Sequence, residues 1–188
     1  MRRGTAGKIL MVILTMATLS FWGEASWGMS QEVGLRFGYG KSTRKASVKL
    51  YDFFPRWGVF LIKPGQSLPG GLGLSVVLEG VVGVARAEED GWELGLTPLL
   101  KLTLPLVPKA NIFVEGGAGI IWENINSPTI AHTFNFTPQV GGGLELALSP
   151  RLGFSLAYRY RHSSNAGLYK ENSSFNVNFF QAGLSYYY

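Results

Sequence analysis

The chain has 188 residues, enough for one domain of moderate size, and no cysteine, so disulfides do not hold it together. Glycine is unusually frequent at 25 residues and aromatics reach 13%, while the net charge of +5 is modest and partly carried by Arg2, Arg3 and Lys8. Basic residues are not clustered with aromatics and no phosphate-cradling glycine motif is present, which argues against nucleic-acid and nucleotide binding.

Arg2, Arg3 and Lys8 precede the apolar run from Ile9 to Trp22, and small residues follow. That order predicts a secretory signal peptide over 1–28, with cleavage between 25 and 28, and a folded domain over 29–188. A single transmembrane helix fits less well because the apolar core is short.

Downstream, apolar and polar residues alternate with a period of two, the signature of strands with unlike faces. The first strand fits Glu32 to Gly40, followed by a basic turn from Lys41 to Lys45. The second begins near Ser47. Its end is ambiguous, because Pro55 would stop it unless Trp57 to Ile62 continues after a bulge. Leu72 to Ala85 alternates cleanly, and so does the stretch from Trp92 to Leu104, with Pro105 to Lys109 as a turn. Asn111 to Trp122 forms a fifth strand and Glu123 to His132 a loop, with His132 a solvated residue in it. Phe134 to Leu148, Arg151 to about His162, and Phe175 to Tyr188 complete eight strands.

Most of these strands have the ten or so residues that cross a bilayer on a tilt. One face carries Glu79, Glu93, Glu115 and Glu145 with Arg36, Lys101, Arg159 and Arg161; the other is rich in leucine. Charges in mid-strand need partners, so the charged face is expected to line a narrow interior and the apolar face to meet lipid. The expected fold is therefore all-β: an eight-stranded antiparallel transmembrane β-barrel of the outer-membrane type, with a lumen filled by side chains rather than a channel. Trp92, Trp122 and the terminal tyrosines suit interfacial aromatic girdles. A soluble barrel or sandwich is the alternative, disfavoured by those mid-strand charges.

Hairpin parity puts both termini on the periplasmic side and the odd loops outside, so His162 lies toward the outer leaflet. Leu156, Tyr158, Tyr160, His162 and Ser164 share one face, and in the last strand Phe180, Leu184 and Asn176 share another. Polar groups continuing lipid-facing apolar rows are out of place unless they act on something in the lipid. Residues two apart in a strand are separated by roughly 6.5 Å, close enough for an imidazole to take a serine proton during attack on an ester. A third group must orient the imidazole: Asn176 has the right parity, and Glu171 in the loop is the alternative acid. Asn165 and the backbone N–H of Gly167 are candidates for an oxyanion hole, although the glycine also suits a tight turn.

The run His162-Ser163-Ser164-Asn165-Ala166-Gly167, followed by Asn172 and the last strand, resembles the C-terminal signature of the PagL family of outer-membrane lipid A 3-O-deacylases. The resemblance implies a serine esterase, independent of calcium, with Ser164 as nucleophile, His162 as general base and Asn165 in the oxyanion hole. It would remove the ester-linked acyl chain at position 3 of the lipid A glucosamine in the outer leaflet. Where the family has Asn-x-Gly-x-Glu, this chain reads Asn172-Ser173-Ser174-Phe175-Asn176, placing an amide at the position of the orienting glutamate. An amide carbonyl can accept the imidazole N–H but supplies no negative charge.

The expected partners are lipopolysaccharide, lipid A and outer-membrane lipids, with no nucleic acid; homodimerisation is left open. No cofactor and no metal site are expected, since no His or carboxylate spacing makes a persuasive ligand set. Tyr169-Lys170 reads equally as a contact for lipid phosphates or as plain surface loop. Rival functions are a noncatalytic structural or adhesive barrel and another outer-membrane lipid esterase or acyltransferase.

Overall fold

The computed structural model describes residues 31–43, 48–65, 68–87, 89–125, 133–170 and 174–188. The predicted signal peptide, Arg44, Lys45, His132, Glu171 and Asn172 lie outside them. Eight strands form among the described residues: β1 (Gln31–Ser42), β2 (Lys49–Ile62), β3 (Gly73–Arg86), β4 (Gly91–Val107), β5 (Ala110–Asn124), β6 (Phe134–Ala147), β7 (Leu152–Ser163) and β8 (Phe175–Tyr187). Each pairs antiparallel with its neighbours, and β8 returns to β1 to close the barrel. Closure leaves no sheet edge, the condition for a sheet to span lipid. The first and last described residues meet at one end, where Gln31 N–H donates to the Tyr188 carbonyl at 2.7 Å.

Alternation sorts the side chains as the sequence predicts. Leu35, Phe53, Val84, Leu100, Val140, Leu156 and Phe180 are exposed on the outside, whereas the predicted inward charges are buried. A soluble barrel would reverse this arrangement. Inside, Glu115 accepts from Arg36 Nη1 at 2.6 Å, from Arg56 Nη2 at 2.7 Å and from Arg159. Glu79 binds Arg56 at 2.5 Å and also Arg159. Toward the termini Lys101 lies 3.3 Å from Glu32 and 3.0 Å from Glu145; toward the opposite end Arg161 grips Glu93 through two bonds of 2.6 and 2.8 Å. Each of these buried charges thus has opposite charges that offset its desolvation.

The structure corrects the sequence reading at several points. Strand β2 runs unbroken through Pro55, which pairs with Leu35, so Asp52 and Arg56 join the buried charges. The ladder to β3 skips the positions at Pro55, where a donor is missing, and Gly80 leaves room for the ring: a Cβ there would lie 3.0 Å from the Pro55 Cγ. Strand β4 continues past Pro105 to Val107, with a register irregularity absorbing the proline at the hairpin end. Glu123 belongs to β5 rather than to a loop. It is buried and accepts hydrogen bonds from Ser163 Oγ at 2.9 Å and Asn135 Nδ2 at 2.8 Å. The interior is also not wholly polar. Val48, Leu50, Phe54, Val81, Ala85, Ile125, Phe175, Val177 and Phe179 form an apolar plug at the end away from the termini.

Inner glycines make room for this filling. At Gly183 an added Cβ would lie 2.3 Å from the Leu35 carbonyl oxygen and 2.6 Å from Arg36 Cγ. Gly183→Ala is therefore expected to destabilise the barrel by about 1–3 kcal/mol through overpacking, read as a lower urea midpoint in detergent micelles.

Candidate active site

Strand β7 carries His162 and Ser163, and Ser164 follows directly. Tyr158 and Tyr160, below His162 on the same side, are 45% and 37% exposed, which fixes that side as the outer face. His162 and Ser164 are both half-buried on it, whereas Arg161, Ser163 and Asn165 between and beyond them are buried.

The two polar residues are anchored in opposite directions. His162 is paired in register with Asn176 of β8, and its Nδ1 lies 2.6 Å from Asn176 Oδ1. Ser164 forms a bridge to Phe136 of β6, accepting from the Phe136 N–H at 2.8 Å and donating back at 3.1 Å. Both positions are therefore set by sheet hydrogen bonds rather than by a loop, which limits their drift relative to each other. The Asn176 carbonyl oxygen can only accept, so His162 donates through Nδ1, which in a neutral imidazole leaves the lone pair on Nε2. That is the tautomer a general base needs.

The Asn176 backbone is itself held from the far side, its carbonyl accepting from the Thr43 N–H at 3.0 Å. One step toward the middle of the barrel, Tyr158 Oη donates to Asn178 Oδ1 at 2.7 Å. Asn178 is a second polar residue on the outer face of β8, and sequence reasoning passed over it. The signal was available: an amide at an even position of a strand whose even positions are otherwise mostly aromatic or aliphatic.

Beyond Ser164 the chain turns sharply. Ala166 and Gly167 have φ of 53° and 82°, and the Gly167 N–H donates to Asn165 Oδ1 at 2.9 Å while the Leu168 N–H donates to the Asn165 carbonyl at 3.0 Å. The expectation that Asn165 and Gly167 converge on an oxyanion is corrected in one respect. Here the two groups are bonded to each other, because the left-handed backbone folds the Gly167 N–H back onto the asparagine. The site thus brings His162, Asn176 and Ser164 onto one face and keeps Asn165, 1% exposed, beneath it. Lys170 is exposed in the same loop. Among the described residues no group of three or more His, Cys, Asp and Glu is arranged to hold a metal ion.

A sealed eight-stranded barrel with charges inside and hydrocarbon outside defines an outer-membrane β-barrel, and the sequence comparisons make it an enzyme of that class. The sequence model of the family described as lipid A 3-O-deacylase (PagL) matches residues 14–185, and the chain belongs to that family. It is accordingly a hydrolase that acts on lipid A. A comparison with curated protein sequences gave no match. Among solved structures, the fold is similar to that of the outer membrane enzyme PagL, with a TM-score of 0.67 and 18% identity over 80% of this chain and 97% of that one. It is also similar to Neisserial surface protein A (TM-score 0.54, 13% identity, 85% of this chain and 96% of that one). The attachment invasion locus protein Ail of Yersinia pestis gives a TM-score of 0.51 at 13% identity, over 85% of this chain and 97% of that one. At these identities the likeness carries the architecture alone.

Proposed function

We propose that Ser164, His162 and Asn176 form the catalytic triad of this deacylase and work from the outer face of the barrel on lipid A held in the outer leaflet. The observation that carries this reading is the 2.6 Å hydrogen bond between His162 Nδ1 and Asn176 Oδ1, on the lipid-facing side and two residues from a serine. With Nδ1 protonated, Nε2 takes the Ser164 proton as Oγ attacks the ester carbonyl at position 3 of the glucosamine. The resulting oxyanion is assigned to the backbone N–H of Asn165, next to Ser164, because the Asn165 side chain is buried and the Gly167 N–H is taken up by Asn165 Oδ1. Collapse expels the sugar hydroxyl, protonated by the imidazolium, and leaves an acyl-serine. Water, deprotonated by His162, then releases a 3-hydroxy fatty acid and restores the serine.

Hairpin parity supports the orientation. With the termini in the periplasm, Ser164 lies at the outer end of an outward-running strand. The test is to incubate the purified barrel with lipid A in detergent and to weigh the lipid. Loss of one 3-hydroxyacyl chain is expected; a gain of mass would make the chain an acyltransferase and sink the hydrolytic reading.

Asn176 orients the imidazole but carries no charge to stabilise the imidazolium. Asn176→Ala is expected to lower kcat by on the order of 10²-fold with KM nearly unchanged. Asn176→Asp, which restores a charge, is expected to raise kcat above wild type. Steady-state assays of the three proteins on lipid A separate these outcomes, and equal kcat in all three would remove Asn176 from the triad.

A further inference from the structure

Beside the site, five neighbouring strands carry a ladder-paired row of residues on the outer face. Tyr160 pairs with Asn178, Asn178 with Lys41, Lys41 with Lys49, and Lys49 with Arg86. Lys41, Lys49 and Arg86 are all exposed. One step toward the middle of the barrel Tyr39 and Tyr51 are in contact, with ring centroids 5.4 Å apart, and below them Phe37 and Phe53 at 5.5 Å. One step the other way lies the Thr43 N–H bond to Asn176. The cations therefore sit between an aromatic belt and the row of the triad, at the height where headgroups replace acyl chains.

Arg86 has a partner, Asp90. Lys41 and Lys49 do not: among the described residues no carboxylate lies within ion-pair distance of either. Like charges directly opposite each other across a ladder are destabilising, so the sheet gains nothing from this pairing by itself. An anion bound between them would reverse the sign. At about 4.8 Å per strand and 3.4 Å per residue, Lys41 lies roughly 12 Å from His162 at the backbone, and its side chain closes about half of that gap. The remainder is the span of one sugar ring and its substituents.

We propose that Lys41 and Lys49, with the Asn178 amide beside them, form a subsite for a phosphate ester on the sugar headgroup of the lipid whose acyl chain is cleaved. The subsite rests on the assignment of His162 and Ser164 for its purpose, though not for its existence. Its role is to hold the glucosamine so that the ester at position 3 faces Ser164, a use of binding energy remote from the reacting bond.

The test measures binding without turnover. Full-length Ser164→Ala barrel in detergent is titrated by native mass spectrometry with diphosphorylated lipid A and with the same lipid A chemically dephosphorylated. A preference of roughly tenfold for the phosphorylated form is expected. Lys41→Gln/Lys49→Gln in that background is expected to erase the preference, and Lys41→Arg/Lys49→Arg to keep it. A preference that survives the glutamine pair would overturn the proposal, as would its absence from the parent. An equal glutamine-sensitive preference for phosphatidylglycerol would also overturn it, since the lysines would then be a general anchor to anionic lipid. With Ser164 and His162 intact, the glutamine pair should lower kcat/KM by a similar factor. Failure of the intact protein to deacylate lipid A would strike the triad while leaving the binding comparison readable on its own.

Discussion

Replacing Ser164 with alanine is expected to abolish release of 3-hydroxy fatty acid from lipid A, by about three orders of magnitude or more in kcat, without loosening the barrel. The two expectations are separable because the bonds that seat Ser164 against Phe136 are made by its backbone, which alanine keeps. Mass spectrometry of lipid A reads the first, and heat-modifiable migration in gel electrophoresis reads the second. His162→Ala is expected to match the loss, and the double substitution to be no worse than either single one, since a nucleophile and its base act as a unit. Fatty acid release by Ser164→Ala at the wild-type rate would mean that another group attacks the ester.

The largest expected effect on stability comes from Glu115, which accepts from Arg36 and Arg56 and also binds Arg159. Glu115→Ala leaves three guanidiniums in the lumen around a missing carboxylate, with Glu79 the anion that remains beside Arg56 and Arg159. Removing one partner from a buried ionic network typically destabilises by about 3–5 kcal/mol, because charge is left without compensation. Asp90→Asn, which breaks the exposed pair with Arg86, is the matched comparison and is expected to change stability by less than about 1 kcal/mol. Urea unfolding in micelles checks both. Comparable midpoints for the two variants would show that water in the lumen screens the network.

The barrel was legible in the sequence wherever its two surroundings differ. In β3 and β4, valine and leucine alternate with Glu79, Glu93 and Lys101, and the period of two shows through although Val77, Val81 and Leu99 also point inward. It fails where both faces are apolar. Phe175, Val177 and Phe179 point inward into the plug while Phe180 points outward, so hydropathy alone cannot separate them. Proline obscured in a different way: Pro55 left the end of β2 open between a stop and an extension through Trp57 to Ile62, and a skipped stretch of ladder opposite Gly80 accommodates it, so Arg56 and Asp52 were not picked out. At the site, parity sufficed to set His162 against Asn176, because strand register is a global property that one residue inherits from its neighbours. The 165–167 turn was not legible to that degree. Ala166 adopts a positive φ that its side chain does not favour, so the coupling of Asn165 to Gly167 emerges only from the folded backbone.

The plug of Phe54, Phe175 and Phe179, stacked on the ion pairs beneath it, denies any solute a path along the barrel axis. On the proposed reading this decides the traffic of the reaction. Lipid A arrives by lateral diffusion, and the freed fatty acid and the trimmed lipid can depart only sideways into the same monolayer. Turnover then answers to the fluidity and crowding of that monolayer, and product lingering beside the wall becomes a competitor for the next substrate.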